Sequence, residues 1–390
     1  MTGPREPREP LFTRSFVLLS ASDLAYFLGA GVLVFATPLF VTGPLGAGPA
    51  QVGLAMGAFS LTTLVLRPWL GRWTDRHGRR VLLVGGAAGF AVVVLGHLVV
   101  DSLAGLVVVR LALGAAEACY FVAGFAALAD LAPPARAGEA LSLNSLALYA
   151  GIALGPVAGQ GLVELGGYPA AWVGAACSVA VAAMLVALVP ETQGQVEPAA
   201  EPPPLLHPAV RGPGAALGLG LLAMSAFMPF SVLLAREAGV ALVSVGLLVF
   251  GATVVTCRLV FATLPDRVPA APLATTALVA SGLGMLLLGT WPTSAGLVAG
   301  ALVCGLGSAF LTPAVFALVF RSVPPAERGA AAGGLSMFVD LGLTGGPLVL
   351  GSLAAATGLA PAFALTAALP LAGAWVLRPR TARPRVRPAG

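Results

Sequence analysis

The chain has 390 residues, 9% of them charged and 58% hydrophobic, with a formal net charge of +5 and a mean hydropathy of +0.95. Soluble globular domains carry about 25% charged residues, so a body this poor in charge cannot cover its surface toward water, and lipid must be the solvent for most of it. All 21 basic residues are Arg, most of them in short inter-span loops and the two tails, which excludes a nucleic-acid-binding surface as the reason for the positive balance.

Taken in order, Met1 to Pro10 is polar and proline-rich, and the apolar run from about Leu11 to Val41 is too long for a signal-peptide core, so it reads as a retained first span. A spanning helix needs about 20 apolar residues. Such runs fall at about 13–41, 51–70, 81–100, 103–128, 140–164, 170–189, 214–235, 241–263, 271–290, 296–319, 329–356 and 361–377. Residues 190–213, polar and rich in proline, read as a linker, and 379–390 as a basic, disordered, lipid-facing tail. The four cysteines (Cys119, Cys177, Cys257, Cys304) lie inside apolar runs with no metal-like spacing and read as small buried hydrophobes. No metal or cofactor is expected. No Walker loop, His-Glu-x-x-His site or Gly-x-Ser-x-Gly elbow occurs, which argues against direct ATP use and against an intramembrane enzyme.

The densest charge lies in Gly71-Arg72-Trp73-Thr74-Asp75-Arg76-His77-Gly78-Arg79-Arg80, between spans two and three. Arg14, Arg136, Arg211, Arg267, Arg321, Arg328 and both tails fall on the same side, while the opposite side has only Arg236. The positive-inside rule then places both termini in the cytoplasm, which an even span count satisfies. Arg67, Arg110 and Arg258 fall within spans; Arg67 and Arg258, near span ends, read as snorkelling residues.

The halves repeat at one gapless offset of 191 positions. Pro38 meets Pro229, Thr62 meets Thr253, Arg67 meets Arg258, and Asp75-Arg76 meets Asp266-Arg267. Gly114 meets Gly305, Gly138 meets Gly329, and Gly155-Pro156 meets Gly346-Pro347. The expected fold is therefore an all-α membrane protein of twelve transmembrane helices in two pseudo-symmetric six-helix bundles, 1–189 and 214–378, with a site between them near the midplane.

Gly71-x-x-x-Asp75-Arg76-x-Gly78-Arg79-Arg80 resembles the signature loop of the major facilitator superfamily, and the resemblance extends over essentially the whole chain. Arg110-x-x-x-Gly114 resembles that family's second motif, tied to proton coupling. Gly151-x-x-x-Gly155-Pro156-x-x-Gly159 resembles its drug/proton antiporter motif, departing at Gln160, where a further Gly is usual. The resemblance implies a cytoplasmic lock in which Asp75 faces the start of span eleven and Arg79 faces Asp130. Gly71 would let span two approach a neighbouring backbone closely. The alternative is that these arginines only set topology and bind anionic headgroups. In the second half the lock is degraded, with Pro269, Ala270 and Arg321 at the positions of Gly78, Arg79 and Asp130.

Departures from the repeat mark the candidate site. Asp23 corresponds to Gly214, Arg110 to Ala301, Glu117 to Ser308, and Asp340 to Tyr149. At 1.5 Å per residue, Asp23 lies about 15 Å into span one and Asp340 about 16 Å into span eleven. Arg110 and Glu117 share a face of span four, about 10 Å apart. Each charge costs about 2.5–3.5 kcal/mol at the bilayer centre, so all four should face a cavity or one another. Arg110 is expected to pair with whichever acid is ionised, leaving Asp23, Glu117 and Asp340 to carry protons or contact a cationic substrate. Asp23 and Glu117 could instead form structural pairs, and Ser336, Asp340 and Thr344 could be helix–helix glue. Met224, Phe227, Met228, Phe230, Tyr26 and Phe27 form either an adaptable apolar wall or ordinary packing. His97 reads as interfacial, and Trp172 and Trp291 as peripheral.

The expected function is proton-coupled efflux of small, largely apolar compounds by a monomer in the cell membrane, its partners being the substrate, protons and lipid. The alternative is an uptake symporter or facilitator for a sugar or other metabolite. That alternative predicts a cavity rich in Asn, Gln and Trp, and Asn144 is the sole Asn in the chain.

Overall fold

The computed structural model describes residues 11–133, 136–192, 207–261, 264–324 and 327–378. The terminal segments 1–10 and 379–390, and most of the linker (193–206), lie outside the described residues.

The described chain is helical throughout, without strands. In order come α1 (Arg14–Thr42), α2 (Pro49–His77), α3 (Arg79–Val99) and α4 (Leu103–Leu131). One long helix, Ala137–Ala187, leaves helical geometry at Gly166 and Gly167, and its two arms are α5 (137–165) and α6 (168–187). The second half supplies α7 (Arg211–Glu237), α8 (Val245–Val260) and α9 (Ala270–Thr290). It ends with α10 (Ser294–Ser322), α11 (Arg328–Thr357) and α12 (Leu359–Val376). Among the described residues ten helices have the length and composition to cross a membrane, one of which is the bent pair, and Val245–Val260 is a shorter apolar helix. Counting both arms of the pair gives twelve crossings.

Local chemistry explains where these helices start and turn, and it repeats. Ser102 Oγ accepts a hydrogen bond from Gly105 N, and Thr293 Oγ1 accepts one from Gly296 N, both at 3.3 Å. These N-caps, each worth about 1 kcal/mol, stand 191 positions apart and begin α4 and α10. Gly167 (φ 69°) and Gly358 (φ 90°), again 191 apart, turn the chain from α5 into α6 and from α11 into α12. Glycine takes this left-handed backbone without a Cβ clash. The halves differ at the charged loop. α2 runs unbroken to His77, whereas its counterpart stops at Val260 and resumes as the single turn Leu264–Arg267.

Within each bundle, small residues let backbones touch, which is how helices gain packing energy where lipid offers no hydrophobic drive. Gly151, Gly155 and Gly159 line α5 one turn apart and lie directly on α1, at Phe27–Leu28, Gly31 and Val32. Pro156 packs its ring beside Gly31. Gly342 and Gly346 repeat this contact against Gly218 and Leu222 of α7. Large apolar side chains such as Val92, Val99, Leu165 and Trp375 stand exposed, as a lipid-facing surface requires.

The two halves meet most tightly at the end away from the charged loop, called here the far end. Gly53 lies against the Pro347 carbonyl, Gly351 against Pro49, and Gly251 of α8 against Ala153 of α5. At the loop end, a Cβ added to Gly71 on α2 or Gly333 on α11 would meet nothing within 4 Å. The expectation that Gly71 sits in close backbone contact is therefore corrected. α2 and α11 touch through their far-end segments, leaving open space at the position of Gly71.

Candidate functional site

Three groups of polar side chains lie along the helices that meet between the halves. The first surrounds Asp23, 7% exposed on α1. Tyr120 Oη of α4 donates to Asp23 Oδ1, and Asn144 Nδ2 of α5 donates to Asp23 Oδ2, each at 2.7 Å. Ser20 Oγ holds the Asn144 carbonyl at 3.1 Å, fixing the amide so that its NH2 points at the carboxyl. Tyr26 stacks on Tyr120 with ring centroids 4.1 Å apart. Among the described residues no guanidinium pairs with Asp23; both of its donors are neutral.

The second group is ionic and spans the halves. Arg67 on α2 bonds Asp340 on α11 through Nη1, and its Nη2 lies 3.9 Å from Glu117 Oε1 on α4. Glu117 Oε2 also accepts from Thr63 Oγ1 at 3.1 Å. The Arg67 guanidinium rests 4.6 Å over the Phe121 ring. One cation thus serves two acids. Arg67 is not a snorkelling residue. It lies ten residues before the end of α2, about 15 Å from that end, which is beyond the reach of an arginine side chain.

Arg110 makes a different set of contacts from the one expected. Its Nε donates to the Ala55 carbonyl at 3.2 Å, Nη2 lies 3.6 Å from Met56 Sδ, and its Cζ sits 4.8 Å over the Phe59 ring. No acid pairs with it among the described residues. Two turns of α4 separate it from Glu117, and Arg67 on the neighbouring helix is nearer to that acid.

The third group is the charged loop. Arg79, 5% exposed, donates from Nε to Asp130 Oδ2 at 3.2 Å and from Nη1 to Asp75 Oδ1 at 2.8 Å and the Thr74 carbonyl at 3.0 Å. The expected contact between Arg79 and Asp130 is present. The first-turn side chains of α11 at 329–330, toward which Asp75 was expected to face, lie outside those described. Gly78, at φ 95°, ends α2 and starts α3. The Glu191 carboxylate caps this start, accepting from Arg79 N at 2.8 Å and Arg80 N at 3.2 Å. Arg80 Nη2 donates to the Ala187 carbonyl at 2.6 Å, while Arg76 stays exposed. The start of the linker is thereby fastened to the loop. In the second-half copy, the Asp266 side chain lies outside those described.

Other expectations change. Arg258 donates from Nη1 to Ser145 Oγ at 2.8 Å and lies 4.8 Å over the Tyr149 ring, so it too reaches across the halves instead of snorkelling. Phe227, Phe230 and Tyr26 are fully buried packing residues. Met224 packs with Ala223, Ser281, Met285, Cys304 and Ser308 around a gap in the second half too small to hold a water molecule. His97 is buried and stacks on a buried Trp172 at 4.5 Å, so neither is at the surface, whereas Trp291 is exposed. Cys257 and Cys304 are buried, but Cys177 is exposed. Thr344 bonds its own helix at the Asp340 carbonyl, and among the described residues it bonds no neighbouring helix.

Arg67, Thr63, Tyr120, Asn144 and Glu191 are the polar residues that spacing alone did not assign to these groups. A signal existed for two of them. Asn144 is the only Asn of the chain and lies inside an apolar span, and Arg67 keeps an arginine as its partner under the repeat.

Comparison with known proteins agrees with this architecture. The family model of the Major Facilitator Superfamily matches residues 19–275 and 214–390. An MFS-type transporter of Salmonella typhimurium is 29% identical over 379 residues, covering 92% of this chain and 94% of the relative. One of Pseudomonas aeruginosa is 32% identical over 376 residues, covering 86% and 87%. Among solved structures, the human organic anion transporter MFSD10 superposes with a TM-score of 0.71 at 19% identity, over 96% of this chain and all of that one. A bacterial homolog of the human lysosomal transporter Spinster, in an inward-facing and unoccupied conformation, gives 0.73 at 16% identity over 95% of both chains.

Proposed function

Because the chain belongs to the major facilitator superfamily, and so is a multi-pass membrane transporter, we propose that it performs proton-coupled efflux of small, largely apolar compounds by alternating access. The observation that carries the proton coupling is Asp23, a buried carboxyl on a span, held by Tyr120 and Asn144 and paired with no cation among the described residues. An ion buried without a counter-ion costs several kcal/mol, and taking up a proton relieves that cost. The Arg67–Glu117–Asp340 group has the same imbalance, one cation against two acids. The efflux direction is supported by Gly151, Gly155, Pro156 and Gly159 of the antiporter-like motif, which pack α5 onto α1, the helix bearing Asp23.

The excess of arginine on the loop side supports a cytoplasmic location for that end. The Arg79–Asp75–Asp130 cluster fits a lock that closes when this end does. One proton moving down about 150 mV supplies about 3.5 kcal/mol, enough for a gradient of a few hundred-fold.

The test is transport in proteoliposomes under an imposed pH gradient, with candidate substrates first found by ligand-induced thermal stabilisation of the purified protein at acidic and alkaline pH. Asp23→Asn and Glu117→Gln should each abolish gradient-driven transport while elution as a folded monomer is retained. Both variants transporting at wild-type rate would refute the proposal.

A further inference from the structure

Arg67 and Arg258 occupy equivalent positions of the repeat, on α2 and α8, and each reaches from its own half into the other. Arg67 meets position 340 on α11; Arg258 meets positions 145 and 149 on α5, and 149 is the repeat partner of 340. The two fastenings match in place and differ in kind. Arg67 ends on the carboxylate of Asp340, Arg258 on the Ser145 hydroxyl and the Tyr149 ring. A second acid is present on one side only, because the repeat partner of Glu117 is Ser308. Coulomb attraction depends on the charge of both partners, whereas a hydroxyl hydrogen bond and a ring contact are unaffected when nearby acids titrate.

We propose that Arg67 is the positioning residue that turns the charge of Glu117 into separation of the halves, with Arg258 as its charge-independent counterpart on the opposite side. While Glu117 holds a proton, Arg67 is drawn to Asp340 alone and α2 stays fastened to α11. When Glu117 gives that proton to water from the loop end, its carboxylate competes for the same guanidinium and the grip on Asp340 weakens. The geometry suits such an exchange. Nη1 is committed to Asp340, Nη2 faces Glu117 at 3.9 Å, longer than a hydrogen bond, and Nε has no partner among the described residues. Glu117 is faced by Thr63 and Arg67 from α2 and by Asp340 from α11, with Tyr26 of α1 and Cys119 of α4 within electrostatic reach of it; α1 also carries Asp23, and α4 also carries Arg110 and Tyr120. The ionisable residues of α3, which also packs on α4, are Arg79, Arg80 and His97 at its two ends. Of all these, only Arg67 can bond an acid in each half.

This inference rests on the proton-coupled reading, but its test reads the separation of the helices and not transport. Nitroxides are placed at Gly71→Cys and Gly333→Cys, where added side chains meet open space, with Cys119, Cys177, Cys257 and Cys304 replaced by serine. Pulsed EPR distances are taken in lipid nanodiscs at about pH 5 and about pH 9, which bracket the titration of carboxyl groups buried in a low dielectric. The parent should show a shift to longer distance at the higher pH. Glu117→Gln, nearly isosteric, should stay at the short distance at both pH values, Asp340→Asn at the long distance at both, and Arg258→Gln should keep the parent's pH response. A pH response surviving in Glu117→Gln, or lost in Arg258→Gln, would overturn the inference. The transport phenotype of Asp23→Asn decides the proton-coupled reading separately.

Discussion

Gln160 stands where the antiporter-like motif usually has a further glycine, and its amide uses all four of its hydrogen-bonding positions. Nε2 donates to Glu164 Oε1 at 2.8 Å and to the Ala241 carbonyl at 3.0 Å, while Oε1 accepts from Ser244 N and Ser244 Oγ, both at 3.0 Å. Three of the four bonds cross from α5 to the segment that starts α8, so they tie the halves together at the far end. A net hydrogen bond is worth about 0.5–1.5 kcal/mol, which puts the three together at roughly 1.5–4.5 kcal/mol. Opening the far end must break them, whereas the open state does not contain them. Gln160→Ala should therefore raise the ratio of far-end-open to far-end-closed molecules roughly ten- to thousandfold. Nitroxides at Leu165 and Ser294, exposed positions of opposite halves toward the far end, would report this by pulsed EPR as a new or enlarged long-distance population. Glu164→Ala, which removes only the bond within α5, should leave the distribution unchanged. If Gln160→Ala gave the parent distribution, the three bonds would not be holding the closed end and the reasoning would fail.

Other outcomes follow from the same contacts. Asp130→Ala leaves the buried Arg79 guanidinium short of one acceptor and should destabilise the protein by about 1–3 kcal/mol, read as a lower melting temperature in detergent; an unchanged value would remove the structural role of this pair. Arg79→Lys should rescue little, because an ammonium lacks the planar fork that reaches Asp75, Thr74 and Asp130 together. Gly155→Val would drive a side chain into the α1 backbone at Leu28 and Gly31 and should cost about 3 kcal/mol or more, seen as loss of the monodisperse size-exclusion peak, whereas Gly161→Val, with nothing within 4 Å, should elute normally. Glu191→Ala removes the carboxylate from the start of α3, worth about 1 kcal/mol, and should speed trypsin cleavage after Arg79 and Arg80; an unaltered cleavage rate would show that the linker start is held by other contacts.

Much of the scaffold could be read from residues because it is built twice by local rules. Ser102 and Thr293 cap equivalent helices, Gly167 and Gly358 turn equivalent corners, and Gly114 and Gly305 sit beneath the equivalent carbonyls of Phe59 and Phe250. Each of these depends on neighbours in sequence or on a repeat contact, so one offset exposes them all. Partners across the interface obey no such rule. The break in symmetry between Tyr149 and Asp340 was visible, but which guanidinium it meets depends on where α2 crosses α11, a property of the assembled halves. Arg67 was misplaced for a simpler reason. A span ending near residue 70 puts Arg67 at a snorkelling position, but the helix runs seven residues further, to His77, about 10 Å, and the Arg67 side chain turns instead to Asp340 and Glu117.

Arg110 and Arg67 together show why depth in a span is a poorer guide to charge pairing than helix neighbourhood. Arg110 shares a face with Glu117, yet rests on a carbonyl, a thioether and a ring, contacts that hold a guanidinium whatever the state of the acids. Arg67, on another helix, is the cation those acids share. If motif position set the ionic partner, Arg110→Gln would free Glu117 and Asp340 and mimic Arg67→Gln. The geometry predicts the reverse. Arg110→Gln should perturb packing between α2 and α4 through Ala55 and Phe59 and leave the pH-dependent separation of positions 71 and 333 in place, and only Arg67→Gln should abolish it.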